Sequence, residues 1–197
     1  MEMTPNNEFM RFHRLFIFMV IALVFGILMA VFKGNGDGIR MAIGNAIAPW
    51  LILPFVATAM TKSRFPQSVL VGLGVSLVGL IGFYLANTFV LDLGPHPWLV
   101  DFGLTMSAGR IYFVLAFLSG PIFGVLGGYL HQKKSNTILV FIASLFVLEP
   151  CIGLLCHRFS PGFTSYVDYP FIWLAEVIIG VIMFIVIVVR LQPIRRR

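Results

Sequence analysis

Two glutamates, one arginine and two asparagines are the residues that could do chemistry in this chain, because each lies in or at the edge of an otherwise apolar run. Glu149 stands against Pro150 in "LFVLEPCIGLLCHRF", Glu176 lies in "FIWLAEVIIG", Arg110 opens "RIYFVLAFLSG", and Asn45 and Asn87 sit near the ends of two further runs. A carboxylate in such a setting must face other protein groups or water, since hydrocarbon offers it no hydrogen bond. One arginine cannot neutralise two glutamates, so a carboxyl is left to take a proton, bind a cation or meet a cationic ligand. Pro150 removes a backbone donor and leaves the Phe146 carbonyl without its helical partner, one turn from the Glu149 carboxyl. The plainer alternative is that Arg110 pairs with Glu149 or Glu176 only to fix helix register.

Other chemistry finds little support. His96 lies between two prolines and His157 follows Cys156, but no H-x-x-x-H or C-x-x-C spacing accompanies them, so no metal is expected. H-E-x-x-H, G-x-S-x-G and Gly-rich phosphate loops are missing from the sequence, so neither catalysis nor a cofactor is expected. Cys151 and Cys156 are five positions apart on one predicted helix and point to different faces, so they are read as apolar filler rather than a disulfide.

The elements that must position these residues follow from composition. Of 197 residues, 59% are hydrophobic and 11% charged, and the mean hydropathy is +0.96. These values describe an integral membrane protein, all-α, whose helices cross the bilayer in spans of about 20 residues. Six spans are expected, at 15–32, 41–60, 68–91, 111–130, 137–156 and 171–189, forming one transmembrane helical bundle with no room for a separate soluble domain. The first run is too long for a signal-peptide core and lacks a small-residue cleavage site, so it is read as a span. In the fifth span, 12 Leu, Ile, Val and Phe residues outweigh the insertion cost of Glu149. Pro49 and Pro54 make the second span the best candidate for an interrupted helix lining a cavity.

Charge sets the expected orientation. With a cytoplasmic N-terminus, the inside segments hold Arg11, Arg14, Lys62, Arg64, Lys133, Lys134, Arg190, Arg195, Arg196 and Arg197, ten of the 14 Lys and Arg residues. Both termini are therefore expected in the cytoplasm, with the chain in a bacterial plasma membrane. The net charge of +6 reflects this topology and the tail's attraction to anionic headgroups, not nucleic-acid binding. Glu149, Glu176, Asn45, Asn87 and Arg110 then all fall in the outer half of the membrane. Together they imply a polar vestibule open to the outside, covered by the Pro-, Gly- and aromatic-rich loops after the third and fifth spans.

Small residues at four-residue spacing let helices approach closely in lipid. The first span carries Ala22, Gly26 and Ala30, the third Gly72, Ser76 and Gly79 on one face, and the fourth Gly120, Gly124 and Gly128. They are read as internal seams, or in the first span as a face for a partner subunit. That stripe, the chain's size and its helix count resemble the membrane-embedded substrate-binding subunits of energy-coupling factor vitamin transporters, which implies docking on a transmembrane scaffold. The pattern "NAIAPWLILPFVATA", then "GPIFGVLGG", then a glutamate in each of the last two spans resembles a functionally unassigned family of small six-helix membrane proteins of Gram-positive bacteria. That likeness implies the topology and no activity. The expected function is binding or translocation of a small solute at Glu149, Glu176, Arg110, Asn45 and Asn87. The alternative is a non-transporting accessory subunit of a larger complex. The expected partners are the lipid bilayer, a partner membrane subunit or a second copy, and a small-molecule ligand.

Overall fold

The computed structural model describes residues 5–34, 40, 43–44, 46–91, 96–159 and 170–191. Its ordered elements are all helical: α1 Pro5–Lys33, α2 Ala48–Met60, α3 Phe65–Val90, α4 Trp98–Ala108, α5 Arg110–Lys133, α6 Asn136–Phe159 and α7 Pro170–Leu191. Among the described residues, five of these seven helices are long and apolar enough to cross a membrane: α1, α3, α5, α6 and α7.

Two elements differ from the sequence expectation. The second expected span, 41–60, is helical without interruption only from Ala48, and the 13 residues of α2 fall short of the roughly 20 needed to cross hydrocarbon. Pro49 lies in its first turn, where a missing backbone donor breaks no helical bond. The stretch 98–108, expected as part of a loop, is the helix α4. Asp101 and Thr105 are its buried residues, four apart on one face, while Trp98, Leu99, Val100 and Leu104 are exposed. A helix that turns its polar face inward and its apolar face outward is suited to lipid, not to water.

Local residues explain most boundaries. Gly34, at φ 57°, follows α1 and returns its N–H to the Ala30 carbonyl at 3.0 Å, the left-handed stop that glycine adopts at least cost. A single residue, Gly109, joins α4 to α5. A Cβ there would overlap the Tyr84 hydroxyl, which donates to the Gly109 carbonyl at 3.3 Å, so the turn accepts no side chain.

Helix α3 is the hub. One face meets α1, where a Cβ on Gly26 would overlap the Gly79 carbonyl and one on Gly82 the Leu23 carbonyl, while Ala22 and Ala30 are fully buried. The other face meets α5, where Gly72 lies against Gly120 and Gly124, and Gly128 against Ser68. The stripe of α1 therefore closes on this chain's own α3 rather than facing outward. Matching residue levels show that α1 and α3 run parallel and α3 and α5 antiparallel. Helix α2 lies on α5, with Gly127 against Phe55 and Thr58, and α6 packs on both. Among the described helices, α7 contacts α6 alone, with Gly180 against Ala143 and Val147. The start of α1 and the end of α7 thus lie at the same end of the bundle.

Candidate functional site

The first turn of α2 lacks a local cap. Its N-cap residue is Ile47, which has no side-chain acceptor, so the free N–H groups of the helix start need a partner from elsewhere. Glu149 of α6 supplies it. Its Oε1 accepts from the Ile47 N–H at 2.5 Å and its Oε2 from the Ala48 N–H at 2.5 Å. Pro49 has no N–H, and those of Trp50 and Leu51 return to the Ile47 carbonyl at 3.0 and 3.3 Å. Every donor of the turn is thereby accounted for, and the carboxylate faces the positive end of the helix dipole. The depths agree: Ala48 lies about 18 Å from Met60 along α2, and Glu149 about 20 Å from Asn136 along α6. A carboxylate 101 residues away in sequence therefore decides where α2 begins.

Glu176 of α7 is buried, and both its carboxyl oxygens lack a hydrogen-bond partner within the chain. Because α6 and α7 are antiparallel with Gly180 level with Ala143 to Val147, Glu176, one turn before Gly180, lies at the level of Glu149. Trp173 lies one turn earlier on the same helix, and its indole Nε1 is likewise buried and without a partner. A donor and two acceptors thus stand on one stretch of α7, facing α6. Unmatched polar atoms of this kind cost about 1–3 kcal/mol each when nothing occupies them. Trp173 is a member of the site that sequence reading missed, because an indole in an apolar run reads as core or interface; its spacing of three from Glu176 was the available signal.

The remaining expected residues lie elsewhere. Asn87 is buried on α3 with its Oδ1 unpartnered, but α3 contacts neither α6 nor α7. Its neighbours are the polar face of α4: Thr88 Oγ1 lies 3.4 Å from Thr105 Oγ1, and His96 Nδ1 lies 3.5 Å from Asp101 Oδ1. Arg110 is exposed at the start of α5 and forms no ion pair with either glutamate. Asn45 lies outside the described residues. Lys33, unremarked in the sequence, sets its ammonium 5.5 Å from the Phe83 ring centroid, at the end of an aromatic row through Phe25, Trp50, Phe83, Tyr84 and Phe113. The four described members of the expected site therefore do not form one cluster. Glu149 and Glu176 come together across α6 and α7, and Asn87 belongs to a second polar group between α3 and α4. Two cavities, one bordered by Lys62 and Arg64 and one by Lys134 and Asn136, lie at the opposite end of the bundle from the carboxyl pair.

Comparison with known proteins adds family membership and no activity. The profile of a family of unknown function (DUF6518) matches residues 6–197, and the chain belongs to that family. No curated protein and no solved structure matches it.

Proposed function

We propose that this is a multi-pass membrane protein that binds a small cationic solute or a proton at Glu149 and Glu176. Glu176 carries the reading: it is a carboxyl buried within a membrane helix, with two unpartnered oxygens, beside a second carboxyl whose own oxygens are held by a helix start. Intramembrane carboxyls in such surroundings mark cation and proton paths. The interrupted second span belongs to the same reading, because the start of α2 holds the Glu149 carboxylate in place beside Glu176. The test is thermal unfolding of the purified protein against Na+, K+, ammonium and methylammonium. One of these is expected to raise the midpoint of the wild type and to leave Glu176→Gln unmoved. Equal protection of both would remove the site.

The topology in this reading has six crossings, counting α2 and the residues before it as one, with both termini in the cytoplasm of a bacterial plasma membrane. The chain acts on its solute without chemical conversion. Cysteines placed at Lys62 and Lys133 are expected to be shielded from a membrane-impermeant thiol reagent in intact cells, and one at His96 to react. The reverse pattern would invert the orientation. The second reading, a non-transporting accessory subunit, is favoured by one observation: among the described helices α7 packs on α6 alone, and most of its large apolar side chains are exposed. It gains if none of the cations protects the wild type.

A further inference from the structure

At the end of the bundle away from the carboxyl pair, two helical hairpins turn side by side. Lys62 and Ser63 lie between α2 and α3, and Lys134 and Ser135 between α5 and α6. Both lysines adopt left-handed backbone, Lys62 at φ 55° and Lys134 at φ 48°, and they are the non-glycine residues that do so among those described. Glycine or asparagine would meet this requirement at lower cost. A lysine at such a position sits against backbone preference, which directs attention to its side chain.

The turns border two cavities. One, of about 480 Å³, is lined by Lys62, Arg64, Phe65, Pro66, His131 and Gln132. The other, of about 360 Å³, shares His131 and adds Lys134 and Asn136. Among the described residues, no carboxylate lines either. The positive ends of α3 and α6 also open here, and neither helix carries an acidic residue in its first turn. Lysines at the ends of α2 and α5 would by themselves be accounted for as partners of those helices' negative ends. Arg64 is not: it precedes α3, where a cation opposes the helix dipole. Two positive helix ends and four basic side chains thus converge without a counter-anion among the described residues. These are ends of membrane-length helices, at headgroup depth, and Phe65 beside Arg64 is 66% exposed, as an interfacial aromatic is.

We infer that the cavity bordered by Lys62, Arg64 and His131 binds the phosphoryl group of an anionic phospholipid headgroup. A basic pocket between membrane helices suits this chemistry, and each basic residue near the surface contributes about a fivefold gain in affinity. The site stands apart from the carboxyl pair and does not depend on its role.

The experiment uses the full chain in nanodiscs of phosphatidylcholine, with and without phosphatidylglycerol, and reads the unfolding midpoint as the anionic lipid is titrated. Phosphatidylglycerol is expected to stabilise the wild type. Arg64→Gln and Lys62→Gly are each expected to weaken that effect about fivefold. Lys62→Gly relieves the left-handed strain while removing the charge, so in phosphatidylcholine alone it is expected to be at least as stable as wild type, which keeps the test readable if Arg64→Gln folds poorly. Arg14→Gln, which removes a charge at the same end of the bundle but lines neither cavity, is expected to matter less. Equal losses from Arg14→Gln and Arg64→Gln would reduce the effect to diffuse surface attraction and overturn the site. Equal protection by inorganic phosphate in phosphatidylcholine would keep the phosphoryl site and overturn the lipid as its source.

Discussion

In α3, 44% of the most apolar stretch is buried inside the chain, and in α7 the share is 17%. The first helix is held between α1 and α5 by glycines, serines and alanines that bring backbones together, and its buried hydroxyls bond mostly to nearby carbonyls, as Ser68 does to those of Ser63 and Arg64. The second contacts only α6 among the described helices and carries Glu176, whose carboxyl oxygens find no hydrogen-bond partner. Where backbones touch there is no room for an ionisable side chain, so the carboxyl pair lies where packing is sparse. The α1–α3–α5 stack is the scaffold, and the α6–α7 hairpin carries the reactive groups on its inner face. Glu149 links the two regions, because it belongs to the hairpin yet starts α2, which rests on the scaffold.

The largest effect that would sharpen this contrast comes from one methyl group in each region. Gly72→Ala places a carbon against the backbone of Gly120 and Gly124, which cannot move without parting α3 from α5. A loss of about 3 kcal/mol is expected in thermal or denaturant unfolding. Gly180→Ala meets mainly the side chain of Val147, 2.8 Å away, which can rotate, and is expected to cost about 1 kcal/mol. Equal losses would break the division into scaffold and hairpin.

Smaller effects separate the two glutamates. Glu149→Leu leaves the Ile47 and Ala48 N–H groups without acceptors, for an expected loss of about 2 kcal/mol, and Glu149→Gln, which retains one acceptor oxygen, about half of that. Faster amide exchange at Ala48 in both variants would locate the damage at the start of α2. Glu176→Leu removes no hydrogen bond within the chain and is expected to change stability by less than about 1 kcal/mol, or to raise it. If Glu176→Leu destabilised as much as Glu149→Leu, Glu176 would be a structural partner and the cation site would fall.

Much of this architecture was legible in the residues. Apolar runs of membrane length gave α1, α3, α5, α6 and α7, because a chain with so little polar surface has no other stable medium. The four-residue spacing of Ala22, Gly26 and Ala30, and of Gly120, Gly124 and Gly128, marked faces for close approach, since helical periodicity aligns such residues on one side. Pro49 marked the place where the second run is interrupted, whereas Pro54 lies inside the unbroken α2. Other features could not be read. The face of α4 was hidden because Asp101 and Thr105 point inward only if lipid lies outside, which reverses the rule for a surface helix. Arg110 could be counted against the glutamates, but its exposure at the start of α5 depended on where α4 and Gly109 bring the chain.

The sequence by itself determined the medium, the helical class and the small-residue faces, because hydropathy, helical period and side-chain size are local properties. Tertiary structure alone decided that Glu149 starts α2 and that Glu176 is left without a partner. A helix start with no local acceptor can be satisfied by any carboxylate the fold brings near, and which of the two arrives is a matter of helix order and depth. No residue near Ile47 in the sequence carries that information.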